Sequence, residues 1–294
     1  MPDAAPEVLT CEQWQGRARA HERTIDQWTA VHAARRSRGE KHPVEDFLFT
    51  YYPHRLAALR RWHPGWGVDL EPDPAVPFEV RGYVRVAGLI RVDPSELVRR
   101  RDQIEQIVRL LEATSSRPGA FGCFGLHEWA MVYRQRGQDH RHPAPLRLGS
   151  EGTDAVVEGH RITCTHYDAF RFFTESARPL NTLQPSLATR ADNEQPGCLH
   201  AGMDTYKWAY KLHPIVGADL VAECFALARD IREVDMRASP YDLSALGYDP
   251  IRIETPEGKA VYVGLQRGFA ERGAALRAAM IRLTRRALAA CLDV

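Results

Sequence analysis

The sequence predicts a mainly α fold of the α+β kind: a helical single domain with a few short strands and hairpins. Three observations lead there. Apolar residues recur at helical spacing over long segments, most clearly 93–114, 198–213, 217–237 and 265–292. Strict alternation is confined to short stretches, chiefly 78–92. An apolar fraction of 44% with 9% aromatics is enough to build a real core in a chain of 294 residues.

Taken in order, residues 1–40 read as an N-terminal helical segment and 41–294 as the main, mostly helical domain. "EQWQGRARAHERTIDQWTAVHAARRSR" (12–38) is polar with spaced Trp, Ile and Val, the pattern of a surface helix. In "KHPVEDFLF" Pro43 followed by Glu45 and Asp46 suits a first helical turn, and Pro53 breaks or kinks that element. "HRLAALRRW" resumes a helical pattern, "HPGWGVDLEPDPAVP" is a loop, and "FEVRGYVRVAGLIRV" is consistent with a short hairpin. "DPSELVRRRDQIEQIVRLLEAT" is the clearest helix, with Asp93 as N-cap and Pro94 in the first position. "GLHEWAMVYRQR" reads as a helix and "GQDHRHPAPLRLGSEGT" as a loop. "AVVEGHRITCTHYDAFRFF" reads as two strands running into a short helix. The stretch 174–197 is irregular and rich in Pro, Asn, Thr and Ser; loops of that length usually have a functional or mobile role. Two helices separated by Pro214 follow, then a loop and a small hairpin around Pro256-Glu257-Gly258, then a closing amphipathic helix.

A formal net charge of +1 leaves nucleic acid neither favoured nor excluded; local distribution decides. The six cysteines form no C-x-x-C pair, the first residues lack the form of a signal peptide, and no apolar run approaches a membrane span. A reduced, cytoplasmic protein off the membrane, with no obligate protein partner evident, is the expectation.

Three segments share a design: "CFGLHEWAM", "CTHYDAF" and "CLHAGMD" each place a histidine soon after a cysteine and near a carboxylate. The histidines are His127, His166 and His200, and the carboxylates Glu128, Asp168 and Asp204. In extended chain His166 and Asp168 point to one side; in a helix His200 and Asp204 share a face, and Lys207 is placed to hold Asp204. His127 and Glu128 are adjacent and share no helical face, and Met131 stands where H-E-x-x-H requires its second histidine. Imidazole with carboxylate suits Fe or Zn, so one reading is a metal-dependent oxygenase or hydrolase with His127, His166 and His200 as ligands. The competing account is structural: histidines hydrogen-bonded to carboxylates, and cysteines acting as small buried apolar residues. In "ARDIREVDMRASPYD" acids alternate with arginines, which reads as a salt-bridged helix face, with Asp230 or Asp235 reaching the site as a secondary possibility. Phosphate-loop, dinucleotide and nucleophile-elbow signatures are absent.

The segment "HPVEDFLFTYYPHRLAALRRWHPGWG", with "GLHEWAMVYR" and "EQPGCLHAGMDTYKWAYK", resembles a family of actinobacterial proteins commonly labelled 3-methyladenine DNA glycosylase. The resemblance runs from about His42 to "ASPYDLS". It implies a DNA partner, no cofactor, and hydrolytic release of an alkylated base, with an aspartate, Asp204 or Asp168, stabilising the sugar cation. His166, His200, His127 and Glu128 would complete the catalytic set. Trp129, Tyr133, Tyr167, Tyr206 and Trp208 would line a base pocket beside Lys207, and Arg55, Arg60 and Arg61 would grip phosphates. The chain departs from helix-hairpin-helix glycosylases in one respect. "RPGAFGCFG" lacks the leucine and glycine spacing of their L-P-G-[IV]-G hairpin, so no carboxylate is assigned by motif.

Overall fold

A computed structural model describes residues 5–135 and 142–291. The ends of the helix expected over 125–136, of the loop expected over 137–153 and of the C-terminal helix reach outside those residues.

The chain opens with a short strand, β1 (Glu7–Leu9), and a long helix, α1 (Cys11–Ser37), whose start is a capping box between Thr10 and Gln13. Two short helices, α2 (Phe47–Thr50) and α3 (Leu56–Arg60), stand on either side of the break expected at Pro53. Strand β2 (Val68–Leu70) pairs in parallel with β1 and antiparallel with β4 (Leu89–Val92), which pairs with β3 (Tyr83–Val86). The β3–β4 hairpin turns on Ala87 and Gly88, both at positive φ (50° and 85°), as a tight two-residue turn requires.

The expected single helix after Asp93 is two, α4 (Pro94–Arg99) and α5 (Arg101–Ser115). The reason lies outside the segment. Arg100, at the junction, turns its guanidinium onto the carbonyls of Lys211 and His213, both at 2.5 Å, and so satisfies the C-terminal end of a later helix. Then come α6 (Leu126–Ala130), α7 (Gly149–Glu158), α8 (Tyr167–Phe170) and α9 (Arg190–Asn193). The two strands expected within 155–173 are not formed. Thr153, Val156 and Val157 are buried at helical spacing in α7, and Ile162 makes only an isolated bridge to Asn181. Helices α10 (Leu199–Lys211) and α11 (Ala218–Arg237) form an antiparallel pair, and α12 (Pro256–Ala290) closes the domain. The hairpin expected at Pro256-Glu257-Gly258 is instead the first turn of α12. Thr255 accepts from the Gly258 amide and Pro256 takes the first helical position, where no N–H is needed.

The main core lies between α5, α10, α11 and α12, and α1 reaches it through Ile25 and Trp28. A smaller cluster joins Leu9, Trp14, Trp62 and Leu70 between the sheet and α1. The loop before β2 crosses the start of α11 so closely that a Cβ on Gly65 (φ 89°) would lie 2.6 Å from the Gly217 nitrogen. Among the described residues no helix is long and apolar enough to cross a membrane.

Candidate functional site: a buried histidine and carboxylate network

The three Cys–His segments converge. His127 and Glu128 come from α6, and His166 is the extended residue before α8. His200 and Asp204 lie one turn apart on α10, and Asp235 is near the end of α11. Because α10 and α11 run antiparallel, the beginning of one meets the end of the other, which brings His200 to Asp235. The His127 and His200 rings meet edge to face at 4.4 Å between centroids, and His166 lies 5.4 Å from His200 on its other side.

Around this row the network has two halves. In the first, His127 Nε2 is 2.7 Å from Asp235 Oδ1, and its Nδ1 is 3.6 Å from the Cys123 sulfur. Arg232 Nη1 donates to both Asp235 and Glu128 at 3.2 Å, and the guanidinium stacks 3.9 Å over the Phe47 ring. Arg232 therefore unites His127 and Glu128, which α6 aims in different directions. In the second half Arg190 donates to Glu194 through Nε and to Asp204 Oδ2 at 2.6 Å, and its Nη1 is 3.4 Å from Asp168. Lys207 donates to Asp168 at 2.9 Å and to Asp204 at 3.0 Å, while the Tyr52 hydroxyl donates to the other Asp204 oxygen at 2.9 Å. His166 Nε2 lies 3.2 Å from Glu194 and 3.4 Å from Asp204.

The histidines and charged groups of the network are all buried except Asp168 and Lys207, which stand partly toward solvent. Burial works against ionisation of Asp204, but Lys207, the His166 contact and Arg190 outweigh it and hold the carboxyl well below the usual range. Asp235 is likewise depressed against its burial, chiefly by His127. The same ion pair carries the His127 imidazole well above its ordinary value despite desolvation. His200 goes the other way: burial, then the charge on His127, keeps it neutral. Its Nδ1 and that of His166 have no hydrogen-bond partner.

These shifts fix the sign of an acid response. A histidine depressed in the folded state opposes folding once the unfolded chain can take up its proton, below pH about 6.5. His200, and His63 elsewhere in the fold, are both buried and depressed. His127, raised, contributes its full stability below that pH and loses it as pH rises through its folded value. The depressed carboxylates lose theirs only below about pH 4. The urea midpoint is therefore expected to fall between pH 6.5 and 4, by roughly 1.4 kcal/mol of stability per pH unit for each such histidine. A flat midpoint over that range would refute the assignment.

Two sets of donors are gathered as a metal ion would need, their ligand atoms within 4.8 Å of one another: His127, His200 and Asp235, and His166, Glu194 and Asp204. They are not equivalent. Arg190 sits among the second set, bonded to Glu194 and Asp204 and 3.5 Å from His166 Nε2, so a guanidinium already supplies the positive charge. The first set has Arg232 on the far oxygen of Asp235 only and holds the unpartnered Nδ1 of His200. Beside His127 a cavity of about 10 Å³, room for about one water, is bordered by Cys123, Cys164 and Cys198. Burial raises the Cys164 and Cys198 thiols, so these two are protonated, unreactive walls.

The remaining expected site residues divide. Trp208 lies at the network's edge beneath Lys207 and Arg190, 4.6 and 5.0 Å from its ring, and Tyr167 is partly buried beside Asp168 in the chain. Trp129, Tyr133 and Tyr206 are buried core; Trp129 donates to the Ala238 carbonyl and Tyr133 to Glu158. Arg55, Arg60 and Arg61 are exposed, but Arg60 is engaged by Asp26 at 2.6 Å and Glu22 at 2.8 Å. The face expected on α11 exists, with Asp230 and Glu233 paired to Arg272 and Arg237, while Asp235 and Arg232 turn inward. Sequence reasoning missed Tyr52, Arg190 and Glu194; only the i,i+4 spacing of Arg190 and Glu194 inside a supposed loop hinted at them. Comparison with protein-family models, with curated proteins and with solved structures finds no match.

Proposed function

We propose that the chain is a metal-dependent enzyme, an oxygenase or a hydrolase, with His127, His200 and Asp235 as the ligands. The observation that carries this reading is the buried convergence of two imidazoles and one carboxylate from three helices, with His200 Nδ1 left without a partner. Two histidines and one carboxylate suit Fe(II), leaving positions open for oxygen and substrate, and suit Zn(II) as an activator of water. An ion would have to displace the proton that the Asp235 pair holds on His127; Arg232, itself held by Glu128, fixes the other Asp235 oxygen, the kind of outer support that metal ligands need.

Elemental analysis of freshly purified protein is expected to find about one iron or zinc per chain, and much less in His200→Ala. Folded, metal-free protein that takes up neither ion would overturn the reading. Weight would then pass to hydrolytic release of a modified base, in which Asp168, the carboxylate of the network nearest solvent, would have to serve in place of the enclosed Asp204.

A further inference from the structure

The basic and aromatic stretch from Phe49 to Gly67 contributes to a second feature, apart from the buried network. A cavity of about 300 Å³ opens between α3, the loop before β3, and the facing ends of α10 and α11. That volume falls in the range of small-molecule sites. One side is apolar, from Leu59, Val80 and Val221; the other carries His54, His63, His213, Tyr210, Arg61 and Arg81. No carboxylate lines it, and among the described residues neither Arg61 nor Arg81 enters an ion pair; Arg61 has only a 3.4 Å contact to the Glu79 carbonyl.

The hydrogen bonds show which groups are already engaged. The Gly65 amide donates to the Tyr83 oxygen at 2.9 Å, and the Tyr83 hydroxyl is 3.1 Å from His63 Nδ1. His63 Nε2 is 3.2 Å from His213 Nδ1, and His213 Nε2 is 2.8 Å from the Arg81 carbonyl. That carbonyl can only accept, so His213 donates through Nε2; with both rings neutral, His63 donates to His213 and Tyr83 donates to His63. Burial holds both imidazoles below their ordinary value, in keeping with this order. The chain is closed and fixes that wall.

What stays open is different in kind. His54 stacks flat on the Tyr210 ring at 4.5 Å, and Arg61 and Arg81 are exposed. Two guanidinium groups without a carboxylate and an apolar wall define the complement of a ligand.

We propose that this cavity binds a small organic anion, a carboxylate or a phosphate ester with an apolar body, its head group held by Arg61 and Arg81 and its body against the apolar wall. The site shares no residue with the proposed metal ligands, so it stands or falls separately. It adjoins the network through rings alone: Tyr210 packs on Tyr206, Tyr206 on Tyr52, and Tyr52 donates to Asp204.

Calorimetric titration of the full chain with benzoate, phenyl phosphate and uncharged benzyl alcohol tests this. At least one anion is expected to bind at least about tenfold more tightly than the alcohol, and which one binds identifies the head group. Combined Arg61→Ala and Arg81→Ala should weaken that binding at least about tenfold; both side chains are exposed, so the fold is retained. Ala58→Trp, at an exposed wall position, should block it. Failure of both anions to bind at about 10 mM would overturn the proposal. So would equal binding of the alcohol, or anion binding indifferent to the arginine and tryptophan changes.

Discussion

Asp204→Ala is expected to lower the stability of the protein by about 3–5 kcal/mol, the usual cost of removing one partner from a buried ion pair. The size follows from what the carboxylate holds. One oxygen accepts from Arg190 and Lys207, the other from Tyr52, and His166 lies 3.4 Å away. Without it the Tyr52 hydroxyl is buried with no acceptor, and Arg190 keeps Glu194 and the looser Asp168 and His166 contacts. A loss of that size is a large share of the roughly 5–15 kcal/mol by which domains are stable, and in a chain of this length the thermal midpoint should fall by about 5–8 °C. Asp204→Asn, which keeps the shape and one acceptor, should cost less and so separate lost charge from lost packing. A fall of under about 1 kcal/mol for the alanine variant would mean that the network does not brace the fold.

That a polar centre exists could be read locally; its composition could not. His127, His166 and His200 drew notice through short-range spacing, and the Asp204–Lys207 pair follows from helical geometry alone. Tyr52 carries no such mark. It lies 152 residues from the carboxylate it serves, in a segment that reads as a surface for phosphates. Arg190 and Glu194 were hidden because 174–197 has the composition of a loop. The stretch is pinned instead by buried Asn181, which brackets the backbone of Cys164, and by the one-turn helix α9. The misread elements have similar causes. The β-branched run in α7 resembles a strand unless the burial period is known, and Pro-Glu-Gly at the start of α12 resembles a turn unless the helix beyond it is counted. The break between α4 and α5 is a tertiary event, because Arg100 leaves its own helix to satisfy carbonyls at the end of α10. Long helices with their own caps were legible; short elements fixed by remote partners were not.

Chelation supplies the sharpest test of the metal reading, because a bound ion stabilises only the state that has the site. At a free metal concentration about a thousandfold above its dissociation constant, an ion contributes about 4 kcal/mol. Stripping it should therefore lower the thermal midpoint of the wild-type protein by about 6 °C, and restoring Fe(II) or Zn(II) should recover it. The informative variant is His200→Ala. Asp235 is also the partner of His127 and Arg232, so removing it damages the fold with or without metal. His200 is neutral, and its Nδ1 has no partner to lose. Its alanine variant should start lower by the cost of a small cavity, yet show no further fall on chelation. Equal chelator responses in the two proteins would place the ion elsewhere. No response in the wild type would leave His127, His200 and Asp235 as the brace of the α6, α10 and α11 junction and nothing more.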